Sequence, residues 1–204
     1  MPAPPRRDEL VETALRLFYT HGIHATGIDR ILAEAGVAKM TLYKYFRSKD
    51  ELVLAALRRR DELFRNWLMG AMERASSNPR ERLIAMFDAL DEWFHERAMN
   101  TFGFHGCAFV NAAGEYTDPE DPVHRACAEH KRLIVEYLRK LAAEAGAEDP
   151  NALAEQLALV KEGAIVTAHV RNMPDAAQQA KVVARSLIEA ACGPSVKIGR
   201  KSGS

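Results

Sequence analysis

Residues 37–52 read VAKMTLYKYFRSKDEL, the densest chemistry in the chain. Lys39, Lys44, Arg47 and Lys49 alternate there with Tyr43, Tyr45 and Phe46. A helix buried on all sides does not hold four cations, and a fully solvated one gains nothing from three aromatic rings. The mixture suits a helix with one side in protein and the other against something large and anionic. Leu42 and Phe46 are four apart and share a face, which predicts packing on Ile31, Leu32 and Phe18. Lys39, Met40, Thr41, Tyr43 and Lys44 then point outward, with Tyr45 and Lys49 at the helix end and in the next turn. Lysine amines and tyrosine hydroxyls satisfy phosphate oxygens, and threonine and methionine methyls can touch thymine methyls in a major groove. The residues imply double-stranded DNA as partner. A solvated cationic helix with a tyrosine edge fits the same pattern.

The elements that would carry this helix are also helical. Leu10, Val11, Ala14, Leu15, Leu17 and Phe18 fall on one face of 8–21, and Gly22 ends that run. Thr26 stands where a cap is expected for the next helix, with Asp29 three residues on and Gly36 as terminator. Its N-terminus is a second place for a phosphate. The third helix covers about 39–46, and Ser48 caps a fourth, with Glu51 three residues later. Two short helices about a tight turn at Gly36 and Val37 form a helix-turn-helix layout. Further helices are announced by Asn78–Pro79, Asp121–Pro122 and Asp149–Pro150, and stops by Gly146 and Gly193–Pro194. One short patch, CAFVN, is ambiguous between helix and strand. The reading is all-α.

Composition limits the partners. The formal net charge is zero, yet residues 1–60 hold 11 Lys and Arg against 7 Asp and Glu, a basic N-terminal third on an acidic body. No apolar run approaches the roughly 20 residues of a membrane span. The N-terminus MPAPPRRDEL lacks the apolar core of a secretory signal. Cys107, Cys127 and Cys192 are odd in number and without CxxC spacing, so neither a disulfide framework nor a zinc site is expected. A cytoplasmic protein is expected.

Residues 10–52, LVETALRLFYTHGIHATGIDRILAEAGVAKMTLYKYFRSKDEL, resemble the N-terminal domain of the tetracycline-repressor (TetR) family of transcriptional regulators. The matching marks are A..LF...G, AT....I...AGV and TLY.YF.SK..L. The resemblance implies a three-helix DNA-binding domain over 1–50. A long fourth helix would join it to a helical effector-binding and dimerisation domain over 51–193, followed by a disordered basic tail at 194–204. It places DNA contacts at Thr26 and Gly27, then at Lys39, Met40, Thr41, Tyr43, Lys44 and Tyr45, with Lys49 on a phosphate. Gly27 stands where the family commonly has Thr or Ser, and Leu32 where Ala is usual.

The body offers two expectations. Leu159, Gly163, Val166 and Val170, with Leu187 further on, are proposed to face a second copy, because the 150–172 segment is apolar on more than one side. Gly163 in mid-helix costs about 1 kcal/mol relative to Ala, which a close helix approach would explain. Tight packing within one copy is the alternative. Trp93, Phe94, Phe104 and Tyr137, interspersed with Cys107, Asn111, His130 and His169, suggest an aromatic cavity for a small-molecule effector. Ordinary core packing fits each ring equally. No HxxxH pair or Cys/His cluster supports a metal, and no cofactor is expected.

Two other classes compete with a ligand-responsive dimeric repressor. An enzyme needs a nucleophile with a base or paired carboxylates; Cys107 near His105 is the nearest case, and residues two apart diverge on a helix. A redox sensor at Cys107 or Cys127 needs a cation beside the sulfur, and the sequence shows none.

Overall fold

The computed structural model describes residues 6–98 and 102–193, and these form nine α-helices with no strand. They are α1 (Arg6–His21), α2 (Ile28–Ala35), α3 (Lys39–Tyr45), α4 (Lys49–Ala75), α5 (Pro79–Phe94), α6 (Ala108–Glu115), α7 (Pro122–Glu144), α8 (Pro150–Val170) and α9 (Ala176–Cys192). The basic tail expected at 194–204 lies outside the described residues. So do the first five.

Local chemistry sets most boundaries. Ser48 Oγ accepts from Glu51 N, while the Glu51 carboxylate accepts from Arg47 N at 2.7 Å, so the start of α4 is tied from both ends. Asn78, Asp121 and Asp149 cap α5, α7 and α8, each followed by proline in the first turn. Gly36 closes α2 at φ 63°, and the Val37 amide reaches back to Leu32 O at 3.1 Å, the six-to-one bond of a Schellman turn.

One expectation is corrected and one ambiguity is resolved. Thr26 does not cap α2: Gly27 holds that position without a side-chain bond, and Thr26 is fully buried. Its hydroxyl donates to Gly22 O at 2.7 Å, because a buried hydroxyl must find an acceptor and the carbonyl ending α1 is nearest. The ambiguous CAFVN patch is helical, entering α6 with Phe109 and Ala112 buried.

The head is α1, α2 and α3. Leu10, Leu17, Ile31 and Leu42 are fully buried between them, and Phe46 nearly so. α1 also packs on α4, a 27-residue helix about 40 Å long. α4 continues into the body against α5 and α7; α5 packs on α9, α7 on α8, and α8 on α9. One apolar core runs unbroken from Leu10 to Ile188. The body also grips the head directly. Tyr19 of α1 donates to Gly106 O at 2.9 Å and accepts from His105 N at 3.0 Å. Glu115, at the end of α6, accepts from Ile23 N and His24 N at 2.7 and 2.6 Å.

Candidate nucleic-acid interface and effector region

The third helix presents the expected face. Leu42 is fully buried and Phe46 nearly so, while Met40 is 84 % exposed and Lys39, Tyr43, Lys44 and Tyr45 are all exposed. Thr41 is half-buried and Gly27 exposed. The ammonium of Lys44 stands 5.8 Å from the Tyr45 ring centre, near enough to hold both side chains on one surface. Two expected contacts are placed differently. Thr26 is inside, as described, so only its backbone could face a phosphate. Lys49 Nζ donates to Ile23 O at 2.6 Å and lies over the Phe18 ring, pinning the α1–α2 turn to the start of α4.

The aromatic residues of the body divide. Trp93, Phe94 and Phe104 meet with ring centres 4.8–5.8 Å apart, and Phe64 and Trp67 of α4 join them. His169 stands at the rim, exposed, 6.0 Å from the Phe104 ring. It also covers Gly106: a Cβ there would come within 2.7 Å of His169 Nδ1, and φ is 76°, so glycine is required on both counts. Tyr137 is not part of this group. Its hydroxyl reaches Glu73, toward the far end of α4. Asn111 is also displaced: it is exposed, and its amide donates to His105 O at 3.0 Å. Both lie on helical faces that sequence spacing assigns only relative to their own helix.

His130 is buried with its ring stacked on Phe109, centres 3.6 Å apart, and its Nδ1 bonds Asp61 at 2.7 Å. Asp61 also takes a two-pronged bond from Arg65. Burial pushes the imidazole down to about 4, despite the carboxylate. Burial alone would raise Asp61, but the hydrogen bonds from His130 and Arg65 outweigh it and hold the carboxyl at about 2. The ring is therefore neutral at physiological pH and donates Nδ1–H to Asp61. A cleft of about 360 Å³ between α4, α6 and α7 opens beside this pair, walled by Leu54, Leu57, Phe109 and Ala126. A hollow of about 410 Å³ between α1 and α4 is walled mainly by charged side chains.

Cys107 is buried with Lys131 Nζ 3.2 Å from its sulfur. That cation lies 24 residues away and is invisible in the sequence near the cysteine. Lys131 and the buried Lys161 share one carboxylate, Glu162, which these ammoniums hold at about 2 although burial opposes it. Sequence spacing offered no metal ligands, yet the fold brings Asp91, His95 and Asp175 within 4.8 Å of one another. Arg97 already pairs with Asp91 at 3.0 Å.

The family model for bacterial regulatory proteins of the tetR family matches residues 10–56. The tetracyclin repressor-like C-terminal domain model matches residues 79–184, more than half the chain. The chain belongs to the TetR family. It is therefore a DNA-binding transcriptional regulator of the TetR type rather than an enzyme. SCO4454, a TetR-family transcriptional regulator from Streptomyces coelicolor, superposes with a TM-score of 0.82 at 33 % identity, over 92 % of this chain and 96 % of that one. The HTH-type transcriptional regulator YjdC of Escherichia coli is 24 % identical over 160 residues, 78 % of this chain and 81 % of that protein. The HTH-type transcriptional repressor NemR of the same species is 26 % identical over 147 residues, 70 % and 69 % respectively. No helix among the described residues is long and apolar enough to cross a membrane.

The buried histidine gives a pH prediction for this TetR-family chain. Unfolded, His130 titrates near 6.5 and native near 4, so between those values the unfolded state binds a proton that the native state refuses. Stability should fall as pH drops from about 7 to about 4, by on the order of 3 kcal/mol. Asp61 adds a further loss only below about 3.9. Urea unfolding at about pH 7 and pH 5 measures this. His130→Gln, which keeps a donor for Asp61 but cannot titrate, should lose most of the difference; an equal difference in both proteins contradicts the assignment.

Proposed function

We propose that the protein is a homodimeric transcriptional repressor that binds a palindromic operator through α3 and leaves it when a small, mostly apolar effector occupies the body. The observation that carries this reading is the division of α3 itself. Its apolar side chains are sunk in the head, while two lysines, two tyrosines and the methionine stand in solvent. Lys39, Met40, Thr41, Tyr43, Lys44 and Tyr45 are assigned to the duplex, with the amide of Gly27 at a phosphate. Lys49 is assigned mainly to holding the α1–α2 turn. Repression as the sign of regulation is supported by the name of one relative and rests on the assay below.

A second copy accounts for an apolar stripe that nothing among the described residues covers. Leu159, Val166 and Val170 are 72, 46 and 74 % exposed, with Gly163 between them, at helical spacings of four, three and four. A Cβ at Gly163 would meet nothing within 4 Å among the described residues, so their packing does not ask for glycine there. Close approach by a partner helix does. Val182 and Val183 are exposed on α9, the helix packed beside α8, and are assigned to the same surface. Leu187, expected on the same surface, is instead half-buried against the core, so the α9 contribution centres on the valines.

The effector is assigned to the body near Trp93, Phe94 and Phe104. Cys107, His130 and the exposed His169 at the rim are close to that region through the packing of α6, α7 and α8. Tyr137, on Glu73, and Asn111, on His105 O, take no part in it.

Anisotropy titrations with fragments of the flanking genomic DNA test the reading. Binding should weaken steeply with salt, and Lys44→Ala should lower the slope of log K against log salt by about 1. Binding that ignores salt, or no binding to any fragment, overturns it. In a promoter fusion, deleting the protein should raise transcription; a fall would make it an activator.

Val166→Glu should give a folded monomer that has lost operator affinity, because a half-exposed position tolerates the charge until a partner buries it. Sedimentation decides this: a wild-type monomer at micromolar concentration, or a variant that remains dimeric, removes the stripe from the interface.

A further inference from the structure

Arg60 is 2 % exposed, in the middle of α4, and no carboxylate among the described residues pairs with it. Its neighbours are already spent: Arg59 bonds Glu12 and Glu62, and Asp61 bonds His130 and Arg65. The guanidinium carbon instead lies 4.7 Å from the Tyr19 ring centre and 5.9 Å from that of Trp93. Arg60 Nη2 is a buried donor with no acceptor, and so is Trp93 Nε1. A buried cation without a counter-charge is costly, and stacking on two rings recovers only part of that cost. A methionine would fill the same space without the penalty. Two orphan donors on neighbouring side chains both ask for an acceptor, and the guanidinium fork matches the two oxygens of a carboxylate.

We infer that Arg60 and Trp93 form the anchor for a carboxylate-bearing effector whose apolar body packs among Phe64, Trp67, Phe94 and Phe104. This rests on the effector reading above and narrows it from an apolar molecule to an apolar acid. Elsewhere in the body, cations are also short of carboxylates: among the described residues Lys131 and the fully buried Lys161 share Glu162, and Lys131 reaches otherwise only the Cys107 sulfur. The anchor is also placed to be felt by the head. The ring on which Arg60 rests belongs to Tyr19, whose hydroxyl ties α1 to Gly106 O and His105 N. An anion that turns the guanidinium away from that ring alters the contact between α1 and the body.

The test is calorimetric titration of the full-length protein at neutral pH with phenylacetate, 3-phenylpropanoate and octanoate, each beside its primary amide. The result expected is that at least one acid binds at least about tenfold more tightly than its amide, because only the acid gives Arg60 a counter-charge. In Arg60→Met that ratio should fall to about 1 with amide binding retained. Trp93→Phe, which removes the Nε1 donor and keeps the ring packing, should reduce it partly, and decides the matter if Arg60→Met does not fold. Equal binding of acids and amides by the wild type, no binding of either, or a ratio that survives both substitutions overturns the inference. If the anion is instead the Cys107 thiolate, iodoacetamide will label Cys107 rapidly in wild type and slowly in Arg60→Met while acids show no preference, which also overturns it. Operator titration separates the two levels. Acids that bind through Arg60 and leave operator affinity unchanged support the anchor and end the effector reading. Amides that release operator while acids do not leave the effector reading standing and end the anchor.

Discussion

The carboxylate of Glu115 holds the backbone amides of Ile23 and His24, and the direction in which α2 and α3 leave the body depends on that hold. A charged acceptor on two adjacent amides is among the stronger hydrogen-bond arrangements available to a protein. It sits at the one point where the chain turns from α1 into the reading helices. Gly22, at φ 87°, brings the backbone against Glu115: a Cβ there would lie 3.4 Å from the carboxylate. His24 adds its ring, stacked on Tyr116 at 5.1 Å, and Tyr116 donates to Asp50 at the start of α4 at 3.0 Å. The turn is thus held by α6 on one side and, through Lys49, by α4 on the other.

This arrangement gives the body two routes to the DNA surface. One runs through α6, whose C-terminal Glu115 carries the turn and whose N-terminal side adjoins Cys107 and the His105–Gly106 loop. The other runs along α4, which lies beside α1 near Arg60 and beside α5 near Trp67. Both pass the aromatic cluster of Trp93, Phe94 and Phe104. A shift there reaches the head through contacts that are already formed. Under the proposed effector reading, a coupling of about 1–3 kcal/mol carried by Tyr19, Glu115 and the α4 packing would change operator affinity by about 5–150-fold.

What the sequence disclosed was local. Ser48, Asn78–Pro79, Asp121–Pro122 and Asp149–Pro150 mark helix starts because a cap acts within three residues of itself. Leu42 and Phe46 disclose the buried side of α3 because helical periodicity needs no tertiary knowledge. The long-range features were not legible. Glu115 reads as one more acidic residue at a helix end, and its amide partners lie 92 and 91 residues away. Arg58–Arg59–Arg60 reads as a solvated charge run, and only the packing of α1 and α5 on α4 hides the third arginine. Thr26 carried a correct local signal for a helix start, but burial redirected its hydroxyl to Gly22. Tyr137 and Asn111 were grouped with the aromatics by composition, and the rotation of their helices placed them elsewhere.

The most direct measurement is the operator affinity of Glu115→Ala, with its salt dependence, against wild type. The substitution leaves every exposed residue of α3 intact and removes only the body's hold on the α1–α2 turn. The account predicts a change in affinity of at least about fivefold with the salt slope preserved, because orientation changes while phosphate contacts do not. Unchanged affinity in a folded Glu115→Ala protein would contradict it, since the head would then read DNA independently of how the body holds it.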